Sequence, residues 1–210
     1  METKKVSNNM LARMPIYLNY IKTLPQETKN ISATKIANAL GLGEVSVRKD
    51  LAKVSDGGRC KLGYPCEELI KDIESFLGIQ RKMEAVVAGN GEMLQLLLSY
   101  DGFGPSGLDI LAGFDANLKE ESVIGEKVIY PMEQLESFFE NKKVLIGIIL
   151  TSVDDAQDVC DRMVSLGVEG IWNFTPIHLN VPEHVVLQNE SFTASITKLR
   201  MQLQEKGEEA

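Results

Sequence analysis

The chain is poor in the residues that most often announce chemistry. It has two histidines, His178 and His184, and three cysteines, Cys60, Cys66 and Cys160, with no C-x-x-C pair among them. A structural zinc site takes about four such ligands at close spacing, so no metal centre is expected. Three cysteines also fall short of a disulfide framework. No apolar run approaches the roughly 20 residues that span a bilayer. The longest, VLIGIIL at Val144 to Leu150, has the length of a strand. The opening METKKVSNNM lacks the apolar core of a secretory leader. These absences point to a cytoplasmic protein with no membrane partner. The chain also lacks a P-loop lysine pattern, a G-x-S-x-G elbow and an H-E-x-x-H helix, and no general base stands out among its carboxylates. Catalytic residues are therefore not expected, and His178 is read as a surface or capping residue.

What is present is unevenly distributed. The net charge of -8 over 210 residues argues against a nucleic-acid partner if the chain is taken as one object. Residues 1–83, however, carry 14 Lys and Arg against 9 Asp and Glu, whereas residues 84–210 carry 8 against 21. A basic head precedes an acidic body, and 210 residues suffice for one sizeable core and a smaller second one.

The rhythm of the sequence changes near Lys82. Before it, apolar residues recur at helical spacing. Leu18, Ile21 and Leu24 mark a helix entered through Pro15, and Ile36, Ala37 and Leu40 mark one capped by Ser32 and ended by Gly41. Val47, Leu51 and Val54 mark a third, and Leu69, Ile70, Ile73, Phe76 and Leu77 a fourth ended by Gly78. After Lys82, the apolar runs AVVAG, LDILAGFD, VLIGIIL and VEGIWNF alternate with helix-like stretches. That alternation predicts a parallel sheet with both faces covered. From Glu190 a last helix carries Phe192, Ile196, Leu199 and Leu203 along one seam.

Between Ser32 and Tyr64 the parts follow the order of a DNA-reading device: a helix, a tight turn, the helix VSVRKDLAKV and the hairpin GGRCKLGY. With Val47, Leu51 and Val54 inward, Ser46, Lys49 and Lys53 turn outward and Arg48 lies on the flank. Helix-turn-helix proteins place such a face in the major groove, where Arg and Lys reach guanine edges. The hairpin adds Arg59 and Lys61 among Gly57, Gly58 and Gly63, and a cationic glycine loop approaches phosphates closely. The plain alternative is a small helical domain with a solvated charged face. Cys60 and Cys66 admit a thiol switch on this hairpin, with two incidental cysteines as the alternative.

The strand at Glu84 to Ala88 runs into Gly89-Asn90-Gly91-Glu92-Met93-Leu94 and then an apolar helix. Strand, glycine turn and helix N-terminus make an anion site suited to a pyrophosphate. The next strand ends in Asp115, near where the dinucleotide fingerprint carries its ribose-binding acid. Leu94 occupies the third fingerprint position, where glycine lets helix and strand pack closely, so the helix is expected to be pushed away or tilted. Glu92 stabilises the helix dipole but repels an anion.

From about Met14 to Leu203 the chain resembles the Rex-type redox-sensing transcriptional repressors. The resemblance rests on VRKDL at Val47 to Leu51, LGY at Leu62 to Tyr64, YDGFG at Tyr100 to Gly104, GFD at Gly113 to Asp115, Ala156-Gln157, and NFTP at Asn173 to Pro176. It implies a homodimeric repressor of a palindromic operator in double-stranded DNA, released by NADH. The fold it implies is α/β: a winged helix-turn-helix domain at 1–82, a Rossmann-like parallel-sheet domain at 83–188, and a C-terminal helix at 189–210 swapped into the partner subunit. It assigns Ser46, Arg48, Lys49, Lys53, Arg59 and Lys61 to DNA. It assigns Gly89, Gly91, Asp115, Thr151 and Asn173 to an NAD pocket, with Tyr100 and Phe103 near the nicotinamide, and Asn90, Glu92, Met93 and Phe174 are expected beside them as cofactor-binding residues. Two charged residues of the family's dimer switch, an Arg and an Asp, fall at Asn19 and Ser191, and only Tyr100 of that trio remains. Two alternatives stay open: a dimeric DNA binder whose altered pocket answers to another ligand or to thiol oxidation, and an NAD(P)- or CoA-binding enzyme subunit.

Overall fold

Two methionines carry the first helix well upstream of the expected entry at Pro15. In the computed structural model, which describes residues 6–140 and 142–208, α1 spans Asn8–Lys22 and is capped by Ser7, whose hydroxyl accepts from the Met10 N–H at 3.3 Å. Pro15 lies inside the helix, which leaves the Leu11 carbonyl without its usual partner at a cost of about 3 kcal/mol. Met10, Met14, Tyr17, Leu18 and Ile21 form one buried face, and at about 1.5–3 kcal/mol for each large side chain that burial outweighs the lost bond.

The chain divides into two units, Met1–Arg81 and Lys82–Ala210. In the first, β1 (Asn30–Ile31), α2 (Ala33–Leu40), α3 (Glu44–Val54), β2 (Tyr64–Pro65) and α4 (Cys66–Leu77) follow α1. Ser32 caps α2 by accepting from the Lys35 N–H at 3.1 Å, and Gly41 ends it at φ 63°. β1 and β2 pair antiparallel with Ile31 opposite Tyr64. The helices close on a core that includes Met14, Tyr17, Ile36, Leu51, Leu69 and Ile73.

The second unit comprises β3 (Met83–Gly89), α5 (Gly91–Ser99), β4 (Leu108–Asp115), β5 (Ser122–Ile124), β6 (Lys127–Pro131), α6 (Leu135–Phe139), β7 (Ile146–Leu150), α7 (Ala156–Ser165), β8 (Gly170–Asn173), β9 (Val186–Asn189) and α8 (Phe192–Glu208). Its sheet has the order β5-β6-β4-β3-β7-β8-β9. Every pairing is parallel except β5 with β6. β5, β6 and β9 give little signal in the sequence because they are short and partly polar, with apolar runs of only two or three residues.

Alternation along β3 divides the core. Ala85 and Val87 join Leu94 and Leu98 of α5 on one face, and Val86 and Ala88 join Val159 and Met163 of α7 on the other. α5 packs on β3, β4 and β5. Farther along that face, Ile146, Trp172 and Phe174 are only partly buried. From β3 the chain winds outward through β4 and β6, then returns to β7 and winds the other way. The crevice beyond the carboxyl ends of β3 and β7 is thus the switch point at which open parallel sheets hold ligands.

Candidate functional site

The reading face is set by what α3 buries. Val47 and Leu51 lie fully in the core, and the third inward residue is Asp50, which sequence reasoning passed over. Its carboxylate pairs with the Arg13 guanidinium at 2.7 Å and accepts from the Tyr17 hydroxyl at 3.0 Å. Burial, reinforced by Asp50, pushes the Tyr17 phenol up to about 12. The hydrogen bond to Asp50 likewise holds the Arg13 guanidinium above its ordinary value. These contacts fix the roll of α3, so Ser46, Lys49 and Lys53 stand exposed on its outer side. Arg48 is exposed too, but it pairs with Glu44 one turn earlier, so this face carries an acid that the cationic pattern concealed.

The hairpin after α3 is a tight turn in which Arg59 and Gly63 exchange backbone hydrogen bonds of 2.9 Å in both directions. Lys61 sits at φ 66° and Gly63 at φ 79°. A Cβ on Gly63 would lie 2.3 Å from the Ile31 carbonyl oxygen, so only glycine lets the turn lie against β1. Arg59, Cys60, Lys61 and Leu62 are all exposed around it. Cys66, by contrast, is buried at the start of α4, and burial raises its thiol above the usual range.

In the second unit the glycine turn occupies the switch crevice. Gly89 ends β3 opposite Leu150, and a Cβ there would lie 2.7 Å from the Leu150 Cβ. Gly91 takes φ 67°, and Asn90 at the N-cap position makes no side-chain cap bond to the first turn of α5. The N–H groups of that turn are therefore left for an anion. Glu92 and Met93 are exposed beside them. Asp115 ends β4 almost buried, and its Oδ1 accepts from the Asn117 N–H at 2.8 Å, while among the described residues its Oδ2 accepts no hydrogen bond. Thr151 follows β7 half-buried, its hydroxyl donating to the Ser152 carbonyl at 3.3 Å.

Leu94 does not act as a wedge between helix and strand. It is fully buried against the sheet, and the room it needs comes from Gly113 on β4, where an added Cβ would lie 3.0 Å from the Leu94 Cδ1 and 2.8 Å from the Leu98 Cδ1. At this contact the strand, rather than the helix, supplies the glycine.

Asn173 ends β8 with its side chain fully used. Nδ2 donates to the Ile177 carbonyl and to Asn189 Oδ1, both at 2.9 Å, while Oδ1 accepts from the N–H of Thr175 at 2.9 Å and from its hydroxyl at 2.7 Å. The residue ties the NFTP turn to the end of β9.

Alternation along β8 sends Trp172 and Phe174 to the α5 side of the sheet. There they line a cavity of about 540 Å3 with Leu96, Leu97, Tyr100, Phe103, Glu190 and Phe192. Ring centroids are 4.9 Å apart for Tyr100 and Phe103, 5.8 Å for Phe103 and Trp172, and 4.8 Å for Trp172 and Phe174. The indole Nε1 of Trp172 donates to Glu190 Oε1 at 3.2 Å. Sequence reasoning assigned Tyr100, Phe103 and Phe174 to the pocket but not Trp172, Glu190 or Phe192. The strand period of two would have paired Trp172 with Phe174. A larger hollow of about 770 Å3 beside α1 and α4 holds none of the candidate DNA- or NAD-binding residues. Among the described residues no cluster of three His, Cys, Asp or Glu side chains is placed to hold a metal ion.

Residues 5–52 match a family model described as "Putative DNA-binding protein N-terminus", and residues 80–177 match one described as a CoA binding domain. The redox-sensing transcriptional repressor Rex of Clostridium novyi is 33% identical over 205 residues, covering 95% of this chain and 96% of its own. That of Porphyromonas gingivalis is 35% identical over 195 residues, covering 91% and 89%. Among solved structures, RSP in complex with beta-NAD+ and operator DNA superposes with a TM-score of 0.88 at 30% identity, covering 98% of this chain and 95% of RSP. RSP in complex with beta-NADH superposes at 0.85 and 29% identity, covering 98% and 97%.

Proposed function

Since the chain belongs to the Rex family of redox-sensing transcriptional repressors, we propose that it works as a homodimer whose winged-helix unit holds a palindromic operator and whose Rossmann-like unit takes NAD(H) as effector. The observation that carries this reading is the pairing, in one chain, of an outward Ser46, Lys49 and Lys53 face with a glycine turn at the switch point of a parallel sheet. Relatives matched over nearly their whole length are repressors, so the enzyme-subunit alternative is not retained.

On the DNA, Ser46, Arg48 and Lys49 meet base edges, while Lys53 and the hairpin cations Arg59 and Lys61 meet phosphates. Two copies reading half-sites about 34 Å apart require a palindrome. The seam for pairing copies is α8, whose Phe192, Ile196, Leu199 and Leu203 are each at least half exposed. On the effector, the pyrophosphate lies at the Gly89–Gly91 turn and the first turn of α5, and Asp115 Oδ2 accepts from a ribose hydroxyl. Its repressor relatives, which act on DNA, support a cytoplasmic site of action.

An effector releases DNA only by binding the released form more tightly than the DNA-bound form. The test is fluorescence anisotropy with a duplex that the protein itself selects from a random pool, at fixed moderate salt, with NAD+, NADH or neither. Tight binding that weakens at least tenfold with NADH is expected. Equal affinity for a scrambled duplex would end the operator reading, and indifference to both nucleotides up to millimolar concentration would end the effector reading.

A further inference from the structure

The charged outer side of α3 also carries an aliphatic side chain. Val45 stands 68% exposed in the first turn of the helix, and among the described residues it joins no apolar core. Local structure does not call for a valine there. Gly43, at the N-cap position, makes no side-chain bond to the turn, and a β-branched residue forms helix less readily than Ala, Glu or Lys. One exposed aliphatic is ordinary on a protein surface. Its place at the leading end of a reading helix is what gives it a use.

The residues around Val45 are those that face bases. Ser46 follows it, and Arg48 and Lys49, three and four residues on, are exposed as well, so both border it on the helix surface. Glu44 pairs with Arg48 and draws the guanidinium back towards the same first turn. The leading residues of a reading helix approach base edges most closely. Arg and Lys donate there to guanine N7 and O6, and Ser bonds either base type. None of these three side chains is matched to the C5 methyl of thymine, the apolar group that an A·T pair presents in the major groove. A branched aliphatic is matched to it. Valine has one strongly preferred χ1 in a helix, so its two methyl groups are held in place at little cost in side-chain freedom. Ala52, also exposed, lies two turns farther from the leading end.

We infer that Val45 reads a thymine methyl in each half-site, beside a guanine read by Arg48 or Lys49. This rests on the operator reading above. Residues three or four apart on a helix have Cβ atoms about 5–6 Å from each other, which is between one and two base steps of about 3.4 Å. The thymine therefore lies within two steps of a guanine. Cytosine has no methyl at that place, so Val45 sets which pyrimidine stands there.

The test uses the full chain and the duplex that it selects from a random pool. Uracil differs from thymine only in lacking the methyl. Each thymine is replaced by uracil in turn, in both half-sites together, and affinity is read by fluorescence anisotropy at fixed salt for the native chain and for Val45→Ala. In the native chain, uracil at one thymine position within two steps of a guanine is expected to weaken binding about threefold to fivefold for each methyl removed, the worth of one buried methyl group. In Val45→Ala the same position is expected to become indifferent to the methyl. Because Val45 is exposed, the variant should unfold at the native midpoint, so its loss of discrimination reports on the contact with DNA. Native binding that is insensitive to uracil at every thymine overturns the inference, and so does a sensitivity that persists unchanged in Val45→Ala. In both cases the operator reading stands on the selected duplex. If the chain prefers no duplex to a scrambled one, both fall.

Discussion

Asp50 locks the roll of α3 that the buried Val47 and Leu51 already set. Its neighbours in sequence are cationic or apolar, yet it is the carboxylate that turns inward, because Arg13 and Tyr17 meet it there. Replacing Asp50 with Ala leaves the Arg13 guanidinium without its carboxylate. Chemical denaturation should record a loss of about 2–3 kcal/mol, below the full cost of a broken buried pair because Arg13 keeps some solvent contact. Tyr17 adds a pH dependence. Its proton is held to about 12 when folded and to about 10 when unfolded. Its contribution is therefore complete below about pH 10 and is lost as pH rises towards 12. Unfolding midpoints from pH 8 to 11.5 should fall more steeply in the native chain than in Tyr17→Phe; parallel slopes would refute the assignment. The cysteines are ordered by the same physics. Cys60 is exposed, Cys66 is buried with a raised thiol, and burial pushes Cys160 up to about 11. Alkylation read by mass spectrometry should modify Cys60 far ahead of the other two, which leaves a Cys60–Cys66 thiol switch without a reactive second member.

At the scale of elements, α5 and β4 share one packing problem and solve it with Gly113. Gly113→Ala drives a methyl into Leu94 and Leu98, and overpacking of this kind costs about 1–3 kcal/mol. Leu94→Ala alone leaves a cavity and is destabilising as well. The double variant should be more stable than the sum of the two losses predicts, by at least about 0.5 kcal/mol in urea unfolding, because each change relieves the other. Strict additivity would show that Leu94 and Gly113 are not paired in this way. The expectation that Leu94 tilts α5 came from reading a motif along the chain, where the compensating glycine lies 19 residues downstream and has no mark of its own.

At the scale of the molecule, a basic first unit serves a polyanion while an acidic second unit sets the overall charge. Binding to DNA should accordingly depend on the first unit's cations and weaken steeply with salt. The apolar seam of α8 is the other whole-molecule feature, since several large side chains stand exposed along it and the proposed pairing of copies would cover them. A chain ending at Ser191 should sediment as a monomer where the full chain sediments as a dimer. It should also bind the selected duplex at least tenfold more weakly, since one reading head then engages one half-site. A dimer that survives the truncation would place the interface elsewhere.

The amino-acid sequence by itself determined the two-part organisation, the helix caps at Ser32, Gly41 and Gly78, the outward face of α3 and the glycine turn after β3. These follow from periodicity, capping and backbone freedom, which act within a few residues. Tertiary structure alone decided the rest. The Arg13–Asp50 pair spans 37 residues and Trp172–Glu190 spans 18. The room for Leu94 comes from another strand, and β5, β6 and β9 exist because neighbouring strands offer unpaired backbone to short, partly polar segments. Such contacts join residues distant in sequence, and only the folded chain brings them within reach.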